Sequence, residues 1–323
     1  MTARNLITTP FNANATAADV LDDVDLTGLR AIVTGASSGL GKETARALAA
    51  AGAEVILAVR NSGTGAAVAE EIARAGARIR PKVSVLDLSD QGSVARFVDL
   101  WKVPLHLLVN NAGLVTGGLD RTAEGWELQF ATNHLGHFAL TTGLHRALAA
   151  GAADRDGARI VSLSSTAHMR ANIDFDDPHF DHRPYDPQLA YAQAKTANSL
   201  LSVEANRLWA SDGIVANTVN PGGVATGLQR NFTADQKASL NAAEQAGVFT
   251  YKTIEQGAAT TVVAATRPEF ASTGGHYLDD GQEAYTVANE ASLADHPHGV
   301  KAWALDPAAA ERLWAMSTTL IAS

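Results

Sequence analysis

Short apolar runs alternate along this chain with longer stretches whose apolar positions recur at helical spacing. Residues 31–33, 54–59, 79–85, 105–109, 158–163, 214–219 and 275–278 are the runs, each of a length that suits a strand buried on both faces. Between them, residues 64–76, 89–101, 122–150, 189–210 and 253–265 carry the helical pattern, and an alanine- and leucine-rich run after Gly41 is strongly helix-forming. Ser89 is placed to cap one of these helices, and Gly76 to end another. Strands alternating with helices over short connections predict an α/β fold. The expected form is a Rossmann-type doubly wound parallel sheet of about seven strands, flanked by helices, in a single domain over residues 29–282. Residues 1–28 form an N-terminal arm. Residues 283–323 form a C-terminal extension expected to pack on the same domain.

The first strand runs into Thr34-Gly35-Ala36-Ser37-Ser38-Gly39-Leu40-Gly41, and a helix begins there. Glycines at 35, 39 and 41 stand where the chain must reverse and where a Cβ would hold a ligand off the backbone. The helix aims unpaired N–H groups and its positive dipole end at the same space, which suits a pyrophosphate. A strand before the glycines and a helix after them favour a dinucleotide site over an ordinary glycine-rich turn.

Composition narrows the partners. The formal charge of −9, with no basic run, argues against a nucleic-acid surface. There is no cysteine, which excludes disulfides, thiolate nucleophiles and zinc–thiolate sites. The N-terminus has several aspartates and no long apolar core, so it does not read as a signal peptide. No segment approaches the ~18 uninterrupted apolar residues of a membrane span. A cytoplasmic protein is expected. The run from Asp174 to Arg183 is rich in Asp and His, yet its spacings match no metal pattern, and a solvated loop is the expectation. His134 and His137 suit a helical face packed on the core, and His168 is expected on the surface.

A second cluster carries chemistry. Tyr191 and Lys195 lie at i and i+4 of a helical stretch, so phenol and ammonium face one space. A free tyrosine titrates near about 10, and lowering it by about three units takes roughly 4 kcal/mol of differential stabilisation of the phenolate. Lys195, together with an oxidised nicotinamide ring, supplies charge of the right sign. Ser164-Ser165 ends the strand over 158–163, at the carboxyl edge where doubly wound sheets bind ligands. Asn133 sits within the long helical stretch, where asparagine is a mediocre helix former. Asn110-Asn111-Ala112-Gly113 and Asn220-Pro221-Gly222-Gly223 stand at two further strand ends.

TGASSGLG, NNAG, ATNHLG, SLSS, YAQAK and NPGGVAT together resemble, in order, the motifs of the short-chain dehydrogenase/reductase family. ATNHLGHFALT, SLSSTAH and the run into YAQAKTAN are most similar to its retinol-dehydrogenase-like branch. That branch also carries the extra loop over residues 167–186. The resemblance implies that Tyr191 is the general acid/base and that Lys195 lowers its pKa and holds the nicotinamide ribose. It implies that Ser165 rather than Ser164 binds the substrate oxygen and that Asn133 holds a water in the proton path. Asn111, Ala112 and Gly113 become the adenosine-ribose segment, Asp87 the adenine contact and Thr226 the carboxamide ligand. Ser37, Ser38, Leu40, Leu88, Pro221, Gly222 and Val224 join Gly35, Gly39 and Gly41 against the cofactor. Residues 228–232 fall in the family's substrate loop. The family implies a homo-oligomer built through helices corresponding to 122–150 and 189–210.

The expected reaction is hydride transfer between a nicotinamide and a small-molecule carbonyl or alcohol, with an apolar substrate suggested by Leu228 and Phe232. Strand 54–59 ends in Arg60-Asn61, with no carboxylate until Glu70. An acidic residue there would select NAD, whereas an arginine pairs with a 2′-phosphate. NADP(H) is therefore the expected cofactor, with NAD(H) usable. A nucleotide-sugar epimerase or dehydratase, or a non-catalytic dinucleotide sensor, is the alternative reading. The first carries a differently spaced glycine turn. The second has no need of Ser165, Tyr191 and Lys195 together.

Overall fold

The computed structural model describes residues 5–155, 157–225, 238, 241–242, 244–245 and 250–322. Parallel strands β1 (Arg30–Thr34), β2 (Glu54–Val59), β3 (Lys82–Val85), β4 (Leu107–Asn110), β5 (Ala158–Leu163), β6 (Ile214–Asn220) and β7 (Tyr277–Asp279) form one sheet in the order β3-β2-β1-β4-β5-β6-β7. An eighth strand, β8 (Gln282–Glu283), adds antiparallel to β7, one more than the sequence pattern predicts. It is two residues long, too short to leave a periodicity.

Helices cover both faces, giving two apolar layers. One holds Val33, Val55, Leu57 and Val109 against α2 (Gly39–Ala50) and α9 (Ile254–Thr266). The other holds Ile32, Leu108 and Ile160 against α4 (Gln91–Leu100), α6 (Gly136–Gly143) and α8 (Pro187–Trp209). The central strands are buried along their whole length, as continuous apolar runs require in a parallel sheet.

Three expected boundaries move. β3 starts at Lys82, not at residue 79, because Pro81 has no N–H to give a ladder and Ile79 stays 41% exposed. The cap of α4 is Asp90, whose carboxylate accepts from Ser93 N–H, while Ser89 turns back to hydrogen-bond Asp87. The single helix expected over 122–150 is broken. Arg121 and Glu127 pair across a turn with Gly125 at φ +87°, and helix begins only after Glu127 caps the backbone of Gln129 and Phe130. A short α5 (Leu128–Phe130) then gives way to a π-helical stretch over Ala131–Leu135, followed by α6 and α7 (His145–Asp154). Asn133 lies in that π stretch, a wider winding that often marks functional positions.

The two ends of the chain cover exposed parts of the domain. α1 (Ala17–Leu21), closed by a Thr16–Asp19 capping box, packs on α9 and α2. Ahead of it, Ile7 and Thr9 hydrogen-bond Glu283 and Gln282, so the arm runs along β8 and covers that sheet edge. In the extension, β9 (Thr286–Val287) pairs with β10 (Val300–Lys301), and α10 (Pro307–Ala322) lies along α8. Ala310 and Leu313 of α10 bury against Phe130, Leu135, Ala194, Ala197 and Leu200. One face of α8 is thus covered within the chain by α10. Among the described residues, no helix is long and apolar enough to cross a membrane.

Candidate active site

A cleft of about 540 Å³ opens at the carboxyl ends of β1, β2, β4 and β5. It straddles the gap between β1 and β4, where the strand order reverses and open α/β sheets bind ligands. Gly35 and Gly39 take φ of +65° and +55°, a region that an L side chain enters only with strain. A Cβ on Gly41 would stand 2.7 Å from the Gly35 carbonyl and 2.3 Å from Asn111 Nδ2, so only glycine lets α2 start this close to the turn. Asn111 braces the turn by donating to the Thr34 carbonyl at 2.7 Å, and the Asn111 and Ala112 N–H groups both donate to Thr34 Oγ1. Ser38 leads α2 without a side-chain cap. The first N–H groups of α2 are therefore free to serve an anion, and the turn fits the pyrophosphate of a dinucleotide.

Ser37, Ser38, Gly39, Leu40, Gly41, Arg60, Asn61, Asp87, Leu88, Asn111, Ala112, Gly113 and Pro221 all line this cleft with Gly35. Arg60 is exposed at the end of β2, and Asn61 caps α3 (Ser62–Arg74) by accepting from Thr64 N–H. Asp87 is held by Ser89 and Ser93. Gly222 and Val224 lie past the Pro221 wall, with Val224 and Leu40 both over Gly257 of α9. Thr226 and residues 228–232 lie outside the described residues.

Tyr191 and Lys195 close the far end of the cleft from one face of α8. Burial pushes the Tyr191 phenol up to about 12, and the Ser165 hydroxyl beside it works in the opposite direction. Lys195 is buried too, which brings its ammonium down to about 8. Its Nζ donates to the Leu163 carbonyl at 2.9 Å and stands 5.6 Å from the Tyr191 ring centroid. Desolvation of the phenol dominates, and the protein's own groups leave it above its usual range.

Ser164 and Ser165 part as neighbouring strand residues do. Ser164 is buried, with Oγ donating to the Lys195 carbonyl at 2.8 Å, so it ties β5 to α8. Ser165 is half-buried, caps the following 3-10 turn (Thr166–Met169) by accepting from Ala167 N–H, and meets Tyr191. Asn133 stands behind the cleft, with both ends of its amide on the Leu114 backbone, accepting at 2.8 Å and donating at 3.0 Å. Its main-chain carbonyl meets His137 Nδ1 at 2.9 Å. The amide thus holds the exit of β4. A Cβ on Gly113 would lie 3.4 Å from Asn133 Oδ1 and 3.6 Å from Lys195 Nζ, so these three groups converge.

Sequence reasoning missed three things. His168 is 1% exposed, not a surface residue; it is bonded to the Ser165 carbonyl, Tyr277 and the Lys301 backbone. Tyr277 of β7 lies beside Ser165 and Ser164, and the short run over 275–278 gave no hint of where that hydroxyl points. His137 bridges Asn133 and Thr34, joining the cofactor turn to the π stretch. The Asp-rich loop is held by Arg183, which pairs with Asp174 and Asp177, and by backbone N–H groups on both carboxylates.

The sequence profile of the short chain dehydrogenase family matches residues 30–237. A protein of Streptomyces antibioticus named a probable oxidoreductase is 49% identical over 300 residues, covering 91% of this chain and 98% of its own. Human polyprenol dehydrogenase is 36% identical over 259 residues, 78% of this chain and 77% of that protein. The crystal structure of an uncharacterized protein from Mycobacterium paratuberculosis superposes with a TM-score of 0.72 at 31% identity, covering 96% of this chain and 98% of that one. This chain belongs to the short-chain dehydrogenase/reductase family of oxidoreductases.

Proposed function

We propose that this chain transfers a hydride between NADP(H) and a carbonyl or a primary or secondary alcohol of an apolar substrate. The observation that carries the reading is the convergence of Tyr191 and buried Lys195 at the end of the glycine-turn cleft, with Ser165 at the end of β5 beside the phenol. A carbonyl oxygen placed between those two hydroxyls accepts from both and is polarised toward attack at carbon. The nicotinamide supplies or takes the hydride at that carbon. Tyr191, protonated at neutral pH, gives its proton to the forming alkoxide in reduction. Lys195, 5.6 Å from the Tyr191 ring centroid, then stabilises the resulting phenolate by charge. Asn133 stays in the proton path as the resemblance gave it, holding a water there.

Arg60, exposed on the cleft rim with no carboxylate at the end of β2, supports NADP(H) over NAD(H). Leu114 and Val115 on the cleft wall support an apolar substrate, as does the polyprenol alcohol in the name of the human relative. The reading takes the protein as a homo-oligomer in the cytoplasm, with contacts outside the α8 face that α10 covers. A panel of apolar ketones, aldehydes and alcohols, followed by nicotinamide absorbance with each cofactor, tests it. NADPH consumption with at least one apolar carbonyl is expected. Silence across the panel with both cofactors contradicts the reading.

A further inference from the structure

We propose that the C-terminal extension acts on the active site through His168, a positioning residue that fixes the Ser165 backbone and so keeps the Ser165 hydroxyl on Tyr191. This rests on the roles given above to Ser165 and Tyr191. Three donors converge on the Ser165 carbonyl: His168 N–H at 3.0 Å, His168 Nδ1 at 2.7 Å and Tyr277 Oη at 3.2 Å. A carbonyl only accepts, so Nδ1 carries the imidazole proton. Nε2 is then bare and accepts the Lys301 N–H at 3.3 Å, which selects the same tautomer from the other side. Burial holds the imidazole neutral, at about 4, so both bonds persist across the working pH range.

Lys301 is itself anchored. Its backbone pairs β10 with β9, and its buried ammonium donates to the Ala288, Asn289 and Ala291 carbonyls. Trp303 Nε1 donates to the His168 carbonyl at 3.2 Å, gripping the same residue a second time. Ser165 is the cap of the 3-10 turn, so holding its carbonyl holds the backbone that carries its Cβ, and the Ala167 N–H bond fixes Oγ on that frame. The groups facing Tyr191 are Ser165 at the end of β5, Lys195 on its own helix and Tyr277 from β7. Displacing Ser165 removes the one hydroxyl that favours the phenolate.

The test compares His168→Leu, His168→Asn and Tyr277→Phe in the full chain. His168→Leu should lower kcat about 10-fold, leave KM for NADPH unchanged and move the basic kinetic pKa of alcohol oxidation upward. His168→Asn keeps a donor near the Nδ1 position and should recover most of the loss, and Tyr277→Phe should show a smaller change of the same kind. Amide exchange at Ala167, whose N–H bonds Ser165 Oγ, should quicken in His168→Leu and return toward normal in His168→Asn. A His168→Leu protein that melts earlier but keeps parental kcat, kinetic pKa and Ala167 exchange overturns the proposal. If that variant does not fold, Tyr277→Phe and the nitrogen-15 spectrum of the unaltered protein decide. A proton on Nδ1 supports the brace, and one on Nε2 overturns it. If the parent turns over nothing, the functional reading fails, and exchange and tautomer still judge the brace by themselves.

Discussion

The two ends of the cleft are built from different materials. The dinucleotide end is backbone: a β–α turn of consecutive residues, with positive φ at Gly35 and Gly39 and no room for a Cβ at Gly41. The end to which the chemistry is assigned is side chain, with groups from the end of β5, from α8 and from the π stretch, and with Tyr277 of β7 behind Ser165. At the first end, function is damaged by adding atoms. At the second it is damaged by removing a hydroxyl or an amine. The difference also sets how far a perturbation travels, because the turn answers to itself and to Asn111 at the end of the adjacent strand, while Ser165 answers to residues more than a hundred positions away.

The largest effect belongs to the side-chain end. Tyr191→Phe should leave both cofactors bound and lower turnover by at least ~10²-fold, the usual scale for acid–base catalysis. Equilibrium binding of NADPH alongside kcat checks it, and turnover within a few-fold of the parent breaks the contrast. Arg60→Ala places a side-chain effect at the backbone end. A desolvated arginine–phosphate contact of about 2–3 kcal/mol corresponds to a preference of tens to about a hundredfold. The substitution should therefore raise KM for NADPH far more than KM for NADH, and equal loss of both removes Arg60 from the account.

Gly41→Ala sharpens the comparison from the other side. The added methyl meets the Gly35 carbonyl at 2.7 Å, a backbone atom that cannot step aside, and overpacking of about 1–3 kcal/mol weakens both cofactors roughly 10-fold or more. Calorimetric titration of each cofactor measures it, and unaltered affinity would mean that the turn relaxes more freely than its contacts suggest.

What the sequence made legible follows the same division. The β1–turn–α2 unit and the Tyr191–Lys195 pair are local, so spacing alone places them. Strand alternation sends Ser164 and Ser165 to opposite sides, with the choice of Ser165 coming from the family resemblance. The break of the long helix at Glu127 and the π winding around Asn133 were not legible. They depend on a carboxylate buried among Tyr185 and His179 of a distant loop, and on the Leu114 backbone closing on Asn133. His168 read as a surface residue because nothing in its local pattern marks it as buried, and its partners in space, Tyr277 and Lys301, lie more than a hundred positions away.

The smallest effect is on stability and comes from buried imidazoles behind the catalytic end. Burial holds His134 at about 3, and His137 and His168 at about 4, against an ordinary value of 6.5. The unfolded chain takes up protons below 6.5 that the folded chain refuses, so stability is fully present above 6.5 and falls as pH drops toward about 4. Melting temperature measured from pH 7.5 down to pH 4.5 should decline, and His134→Gln should decline less steeply. A flat profile would mean that these histidines titrate normally in the fold.

The central claim is that a hydride reaches a carbonyl carbon held by Ser165 and Tyr191. NADPH carrying deuterium at the transferred position, incubated with an accepted apolar ketone, addresses it by mass spectrometry of the product alcohol. The account predicts one deuterium on the carbinol carbon for the parent and for Ser164→Ala, and almost none for Ser165→Ala in the same time. Label arriving equally well without the Ser165 hydroxyl, or no label from any carbonyl, would contradict it.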